Sequence, residues 1–280
     1  MAAETQYTAN TGMVKISTAN TSLTGSGTVG TDIYNVITGA SNGTLIKTVS
    51  IKATTKGASS TTQGMVRLFI YDGSNTRLLM EVEIPAQGQG STSSSFETTV
   101  ELNYKLKSGC ILRATTQTGD DFNVIAEGLD FAYYATSVRP ESTNYTANTG
   151  VGYMNASNNA LDGSGTVGTD IFTIVTAGAS GSGWKGLCID SIAIKAVGTV
   201  TQGMVRIFIQ NTGTGTSNTF LLKEIDVTDN IPSGTSKSFS HKIVFPDKFQ
   251  LQAGYKILAT TQNAENFAVI ADAMDWKYPA

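Results

Sequence analysis

Block after block of this chain occurs twice in the same order, and that duplication limits the fold more than composition does. Tyr7-Thr-Ala-Asn-Thr-Gly12 returns at 145–150, and Gly25-Ser-Gly-Thr-Val-Gly-Thr-Asp-Ile33 returns letter for letter at 163–171. Ile51-Lys-Ala53 reappears at 194–196, Thr62-Gln-Gly-Met-Val-Arg67 at 201–206, Ala114-Thr-Thr-Gln117 at 259–262, and Phe122-x-Val-Ile-Ala126 at 267–271. Each copy closes on an acid followed by an aromatic, Asp130-Phe131 and Asp275-Trp276. The offset between matched blocks drifts from 138 to 145 residues. Length changes therefore sit between blocks, in Gly/Ser/Thr-rich stretches such as 56–61 and 211–219 that read as loops. A unit of this length is a whole domain, not a solenoid repeat. Two tandem domains are expected, 1–137 and 138–280.

Within a copy the local signal is strand after strand. Val49, Ile51 and Ala53 alternate with Ser50 and Lys52; Val66, Leu68 and Ile70 alternate with Arg67, Phe69 and Tyr71. Turn signals such as Ser41-Asn-Gly43, Asp72-Gly-Ser74 and Lys107-Ser-Gly109 separate the runs, and no segment carries a sustained helical pattern. About eight short strands per copy suit a Greek-key sandwich or jelly roll. The expected class is all-β, two tandem jelly-roll-like β-sandwich domains, with an immunoglobulin-like sandwich as the alternative. The Asn/Thr-rich start of each copy, at 2–22 and 138–159, reads as an extended arm leading into the first core strand.

Composition narrows the partners. Charged residues make up 15% of the chain, the net charge is −3, and Ser plus Thr number 65. Neither half has the basic excess that a phosphate backbone demands, so nucleic acid is not an expected partner. No apolar run approaches the roughly 20 residues of a membrane span. The opening Met1-Ala2-Ala3-Glu4-Thr5 has neither the basic nor the apolar region of a signal peptide. Cys110 and Cys188 lack CxxC spacing, which disfavours a zinc site or disulfide framework and fits a reducing place of synthesis.

The candidate chemistry is thin. Gly25-Ser-Gly-Thr-Val-Gly30 is formally a GxGxxG, but a dinucleotide fingerprint needs a strand before it and a helix after it. A β-rich run follows instead, so the glycines are expected to bend the chain into a strand and no cofactor is assigned. His241 is the single histidine, has no counterpart in the first copy and no GxSxG elbow beside it. The duplicated acids, Asp32 with Asp170 and Asp130 with Asp275, read first as carboxylates bonding to backbone N–H groups. Calcium at either pair stays open, and a glycosidase-type pair is the weaker alternative. Asp120, Asp121 and Glu265 occupy equivalent loops and take the same reading. Arg67 and Arg206 are expected on a sheet's outer face, paired with a carboxylate across strands. Tyr71, Tyr133, Tyr134 and Trp184 can stack on sugar rings, but they do not recur as a matched set, so burial is expected. No catalytic, cofactor-binding or metal residue is assigned.

Taken together, the Gly-Thr-Val-Gly-Thr-Asp, Gln-Gly-Met-Val-Arg-Leu-Phe-Ile, Ala-Thr-Thr-Gln and Phe-Asn-Val-Ile-Ala segments resemble tailed-bacteriophage virion structural proteins of the head-decoration type. The resemblance covers most of each copy. It implies a non-enzymatic β-sandwich subunit that decorates or stabilises the capsid. It also implies residence on the virion after synthesis in the host cytoplasm, with the major capsid protein or other virion proteins as partners. The arms would add strands to neighbours by edge pairing. The duplication suits a homo-oligomer, and a trimer would match a hexavalent lattice. The second copy departs from the pattern at 210–218, where a longer loop replaces the Asp-Gly turn and offers a partner surface of its own. The readings from other classes are a glycan-binding receptor-recognition or fibre module, a double jelly-roll major capsid protein, and, least supported, an enzyme.

Overall fold

The computed structural model describes residues 6–54, 61–88, 95–132, 144–179 and 183–277. The expected boundary at 137/138, Tyr133, Tyr134 and the loop at 55–60 lie outside these residues. The chain divides into two compact units, and among the described residues each is all-β apart from a three-residue 3-10 turn at Thr216–Asn218.

The first unit runs β1 (Gln6–Ile16), β2 (Tyr34–Thr38), β3 (Thr44–Ala53), β4 (Gly64–Tyr71), β5 (Thr76–Ile84), β6 (Glu97–Leu106), β7 (Ile111–Thr116) and β8 (Phe122–Ala132). These strands form two four-stranded sheets, ordered β1-β8-β3-β6 and β2-β7-β4-β5. First pairs with last, second with seventh, third with sixth and fourth with fifth, as though one long hairpin had been rolled up. That is the jelly-roll order, and it excludes the immunoglobulin alternative. The second unit repeats it with β9 (Asn144–Ala147), β10 (Gly150–Met154), β11 (Phe172–Thr176), β12 (Gly186–Ala196), β13 (Gly203–Gln210), β14 (Thr219–Val227), β15 (Ser240–Gln252), β16 (Lys256–Thr261) and β17 (Phe267–Lys277). Its sheets are β10-β17-β12-β15, with β9 also on β17, and β11-β16-β13-β14.

Irregularities are duplicated along with the strands. Register shifts fall between Ile46 and Thr48 in β3 and between Ile189 and Ser191 in β12; further shifts match at Asn35/Ile37 and Thr173/Val175. A bulge kept in both copies is part of the design, because it sets the local twist on which the sheets close. The period-two residues pack as expected: Val49, Ile51, Val66, Leu68, Ile70 and Phe122 are buried in the first unit. In the second, Ile192, Ile194, Val205, Ile207, Phe267 and Val269 join one apolar cluster.

One expectation is corrected. Most of the described part of the stretches read as extended arms lies in sheet strands of their own units, and residues 17–22 and 155–159 follow those strands outside any strand. Gln6–Ile16 is β1, hydrogen-bonded to β8, and 144–154 is β9 and β10, both on β17. The reason is burial: Ile16 and Met154 have no exposed surface, and each strand covers what would otherwise be an open sheet edge. The repeated glycine of Tyr-Thr-Ala-Asn-Thr-Gly follows from this packing. A Cβ on Gly12 or Gly150 would run into the carbonyl oxygen of Val36 or Ile174 on the facing sheet, so only glycine lets the backbones approach.

Candidate functional site

The duplicated polar residues converge on two places in each unit. The first is the Gly-Ser-Gly-Thr-Val-Gly-Thr-Asp loop, which lies over the outer face of the sheet containing β4 or β13. Thr28 N–H donates to Asp32 Oδ1 at 2.6 Å, and Asn20 Nδ2 donates to Ser26 O at 2.9 Å. The second copy repeats both, Thr166 N–H to Asp170 Oδ1 at 2.6 Å and Asn158 Nδ2 to Ser164 O at 2.9 Å. Gly27 is held at φ 152°, and a Cβ there would meet Asp32 Oδ1 at 2.5 Å and Asn20 Nδ2 at 2.7 Å. No helix follows the glycines, so their geometry is that of a hydrogen-bonded loop and not of a phosphate cradle.

Beneath that loop lie the arginines. Arg67 Nε donates to Glu81 Oε1 at 3.1 Å, and its Nη1 donates to Asn20 O at 3.3 Å. Arg206 does the same with Glu224 Oε1 at 2.9 Å and Asn158 O at 3.4 Å. Arg67 and Glu81 stand directly opposite each other across β4 and β5, as Arg206 and Glu224 do across β13 and β14. The expected cross-strand pair is therefore present, but the arginines are buried where a surface was expected. The loop is what shields them, and in the second unit Ile171, Phe208 and Leu258 form a small apolar cluster on the same side. Asn20 and Asn158 escaped the sequence reading; their shared spacing of twelve residues from Asp32 and Asp170 was the available signal.

The second place is the end of β8 and β17. Asn10 Nδ2 donates to Asp130 Oδ1 at 2.8 Å, and Thr44 Oγ1 donates to the same oxygen at 2.5 Å. Asn148 Nδ2 donates to Asp275 Oδ2 at 2.8 Å and to Thr176 O at 2.9 Å, while Gly178 N–H donates to Asp275 Oδ1 at 2.9 Å. Each aspartate thus fastens the first strand of its unit, β1 or the β9–β10 pair, to the neighbouring chain. Asp120 Oδ2 accepts from Thr62 N–H at 2.7 Å, and Glu265 Oε1 accepts from Thr201 N–H at 2.7 Å, so the equivalent loop acids also hold backbone. Asp121 pairs with Lys15 at 3.0 Å.

One oxygen of each of Asp32, Asp170 and Asp130, and both oxygens of Asp275, already accept N–H or O–H donors, which leaves fewer lone pairs for a cation. Among the described residues no three His, Cys, Asp or Glu side chains converge to hold a metal ion. Adding a chelator is accordingly expected to leave the thermal midpoint unchanged. A midpoint that falls with chelator and returns with calcium, measured by calorimetry, would place a cation at these carboxylates.

His241 is exposed on β15, opposite Ile194 of β12. Cys110 and Cys188 are buried and in no disulfide; burial pushes the Cys110 thiol above its ordinary range, with Lys107 opposing and Asp72 adding to the rise. The face of Tyr71 carries the Arg113 guanidinium 3.7 Å above its centroid, and Arg113 also reaches Asn35 Oδ1 at 2.9 Å and Thr76 Oγ1 at 2.9 Å. That ring is engaged within its own unit. No helix among the described residues is long and apolar enough to cross a membrane.

No protein-family model and no curated protein matches the chain. Among solved structures it is similar to N-glycanase F (PNGase F), with 8% identity over 96% of each chain and a TM-score of 0.41. It is also similar to a chain of broad bean stain virus, at 8% identity over 100% of this chain and 93% of that one, TM-score 0.31. A chain of the infectious bursal disease virus Gx strain matches at 9% identity over 100% and 78%, TM-score 0.23. At these scores the likenesses carry no argument about what the protein does, and the fold rests on its strand pairing.

Proposed function

We propose that this chain is a non-enzymatic structural protein of a tailed-bacteriophage particle, sited on the capsid surface, where its two jelly rolls decorate or stabilise the shell. The observation that carries the reading is how the duplicated polar residues are used. In both copies the conserved-by-duplication Asn, Asp and Arg side chains fasten a loop or a strand end to its own sheet. What has been copied is a means of holding a rigid surface. Low charge suits such a role, since few like charges oppose close packing of neighbours. Because β1, β9 and β10 belong to their own sheets, the reading relies on sheet surfaces and loops for contact with the major capsid protein or other virion proteins.

Quantitative mass spectrometry of purified virions tests it. The expected result is many copies per particle, in simple ratio to the major capsid protein. A few copies per particle would favour a fibre or glycan-binding module, and absence from the particle would overturn the structural reading.

A further inference from the structure

The repeated Gln-Gly-Met segments, 63–65 and 202–204, meet the repeated glutamines Gln117 and Gln262 at one end of the sheet built on β4 or β13. In the first unit Gln117 N–H donates to Met65 O at 2.9 Å, and Glu83 stands opposite Met65 across β4 and β5. In the second, Gln262 N–H donates to Met204 O at 2.8 Å, and Asp226 stands opposite Met204 across β13 and β14. Both copies thus build the same sheet end, with an acid at the same register position.

What lies on that sheet end differs. The compact unit formed by residues 7–132 also takes in Pro232–Lys237, from the connection between β14 and β15. Lys237 Nζ reaches Glu83 Oε1 at 3.3 Å, and a Cβ on Gly234 would stand 3.5 Å from Gln117 Nε2. Gln117 Oε1 is shut off from water there, and Met65 is 1% exposed. The occupant of this sheet end is a Pro-Ser-Gly-Thr-Ser-Lys segment outside any strand, its lysine held by the acid. In the second unit the matching residues Gln202, Gly203, Met204, Asp226 and Gln262 line an open groove of about 640 Å³. Met204 is half-buried and Asp226 exposed.

We propose that this second-unit groove is the docking site for a lysine-bearing Ser/Thr/Gly segment of a partner protein, seated as 232–237 is seated on the first unit. Three observations choose that occupant. The matching sheet end of the first unit holds a segment of this chemistry. The acid that meets its lysine is kept, as Asp226 in the place of Glu83. Each chain's own segment is already engaged on its own first unit, so the ligand comes from a different protein. The side chains of Lys237 and Glu83 are 44% and 61% exposed, so the charge pair selects the ligand and its register more than it supplies affinity. Such docking does not require that the chain belong to a virion.

Fluorescence anisotropy of a labelled synthetic peptide spanning 230–239, titrated with the full chain, tests it. One peptide is expected to bind per chain, and Asp226→Lys is expected to weaken binding about fivefold. A peptide carrying Lys237→Glu is expected to bind the wild type as weakly, and to recover on the Asp226→Lys chain. Absence of binding, or an affinity that Asp226→Lys leaves unchanged, would overturn the proposal. An affinity that answers to Glu83→Lys instead would overturn it too, because the peptide would then be displacing the chain's own segment. Wild-type chains that self-associate in ultracentrifugation, and become monomers with Asp226→Lys, would make a second copy the occupant and overturn the assignment to a different protein. Should Asp226→Lys unfold, the Met204 methyl resonance of the wild type replaces it. That resonance is expected to shift on adding peptide; one that does not move would overturn the proposal.

Discussion

Replacing Glu81 with alanine is expected to cost about 3–5 kcal/mol of stability, the range for removing one partner of a buried ion pair. The Arg67 and Glu81 side chains are 3% and 0% exposed and meet at 3.1 Å. Without the carboxylate, the guanidinium stays in a low-dielectric site with only the Asn20 carbonyl to answer it. The loss combines that stranded charge with the other contacts of the Glu81 carboxylate, and so exceeds the worth of the pair. Replacing both residues by apolar ones of similar volume, Arg67→Met with Glu81→Leu, is therefore expected to be far milder than Glu81→Ala alone. The second copy supplies the control. Glu224 is 41% exposed, so water reaches Arg206 when the acid is removed, and Glu224→Ala is expected to cost about 1 kcal/mol or less. Urea unfolding of the two single variants decides the matter; equal losses at the two sites would refute the burial argument.

Phe267→Ala is expected to remove about 3–5 kcal/mol, through lost transfer energy and the cavity left behind. Phe267 opens β17, has no exposed surface, and meets Phe239 edge to face with ring centroids 6.3 Å apart and planes at 88°. It stands opposite Ala196 in β12, inside the apolar cluster that the two sheets of the second unit share. Phe220→Ala, at a ring left 57% exposed, is expected to move stability by no more than about 0.5 kcal/mol. Chemical denaturation of both variants separates the cases. A Phe267→Ala protein as stable as Phe220→Ala would mean that the core around β17 can collapse onto the missing ring.

Much of the architecture was legible before any coordinates. Period-two runs marked the strands, and turn residues marked the breaks: Asp72 Oδ1 accepts from Ser74 N–H at 2.8 Å and Asn75 N–H at 2.7 Å in the Asp-Gly-Ser turn read from sequence. These features are local, because alternation and turn chemistry are settled by a few neighbouring residues. The hydrogen-bonding role of Asp32 and Asp170 was legible for the same reason, with the donor four residues away. The strands at 6–16 and 144–154 were misread as arms because Asn and Thr are weak strand signals; partners in β8 and β17, more than a hundred residues on, decide them.

Duplication, strand content and the backbone-holding role of Asp32 and Asp170 were thus determined by the sequence alone, whereas Asp130 accepts from the distant side chains of Asn10 and Thr44. The jelly-roll order, the burial of the two arginines and the unequal fate of Ile125 and Ile270 were decided only by tertiary structure. The physical reason is that periodicity assigns a side chain to one face of a strand, whereas its exposure depends on what chain distant in sequence comes to lie over that face. Two copies of one motif can share every local instruction and still end, as these isoleucines do, on opposite sides of the boundary with water.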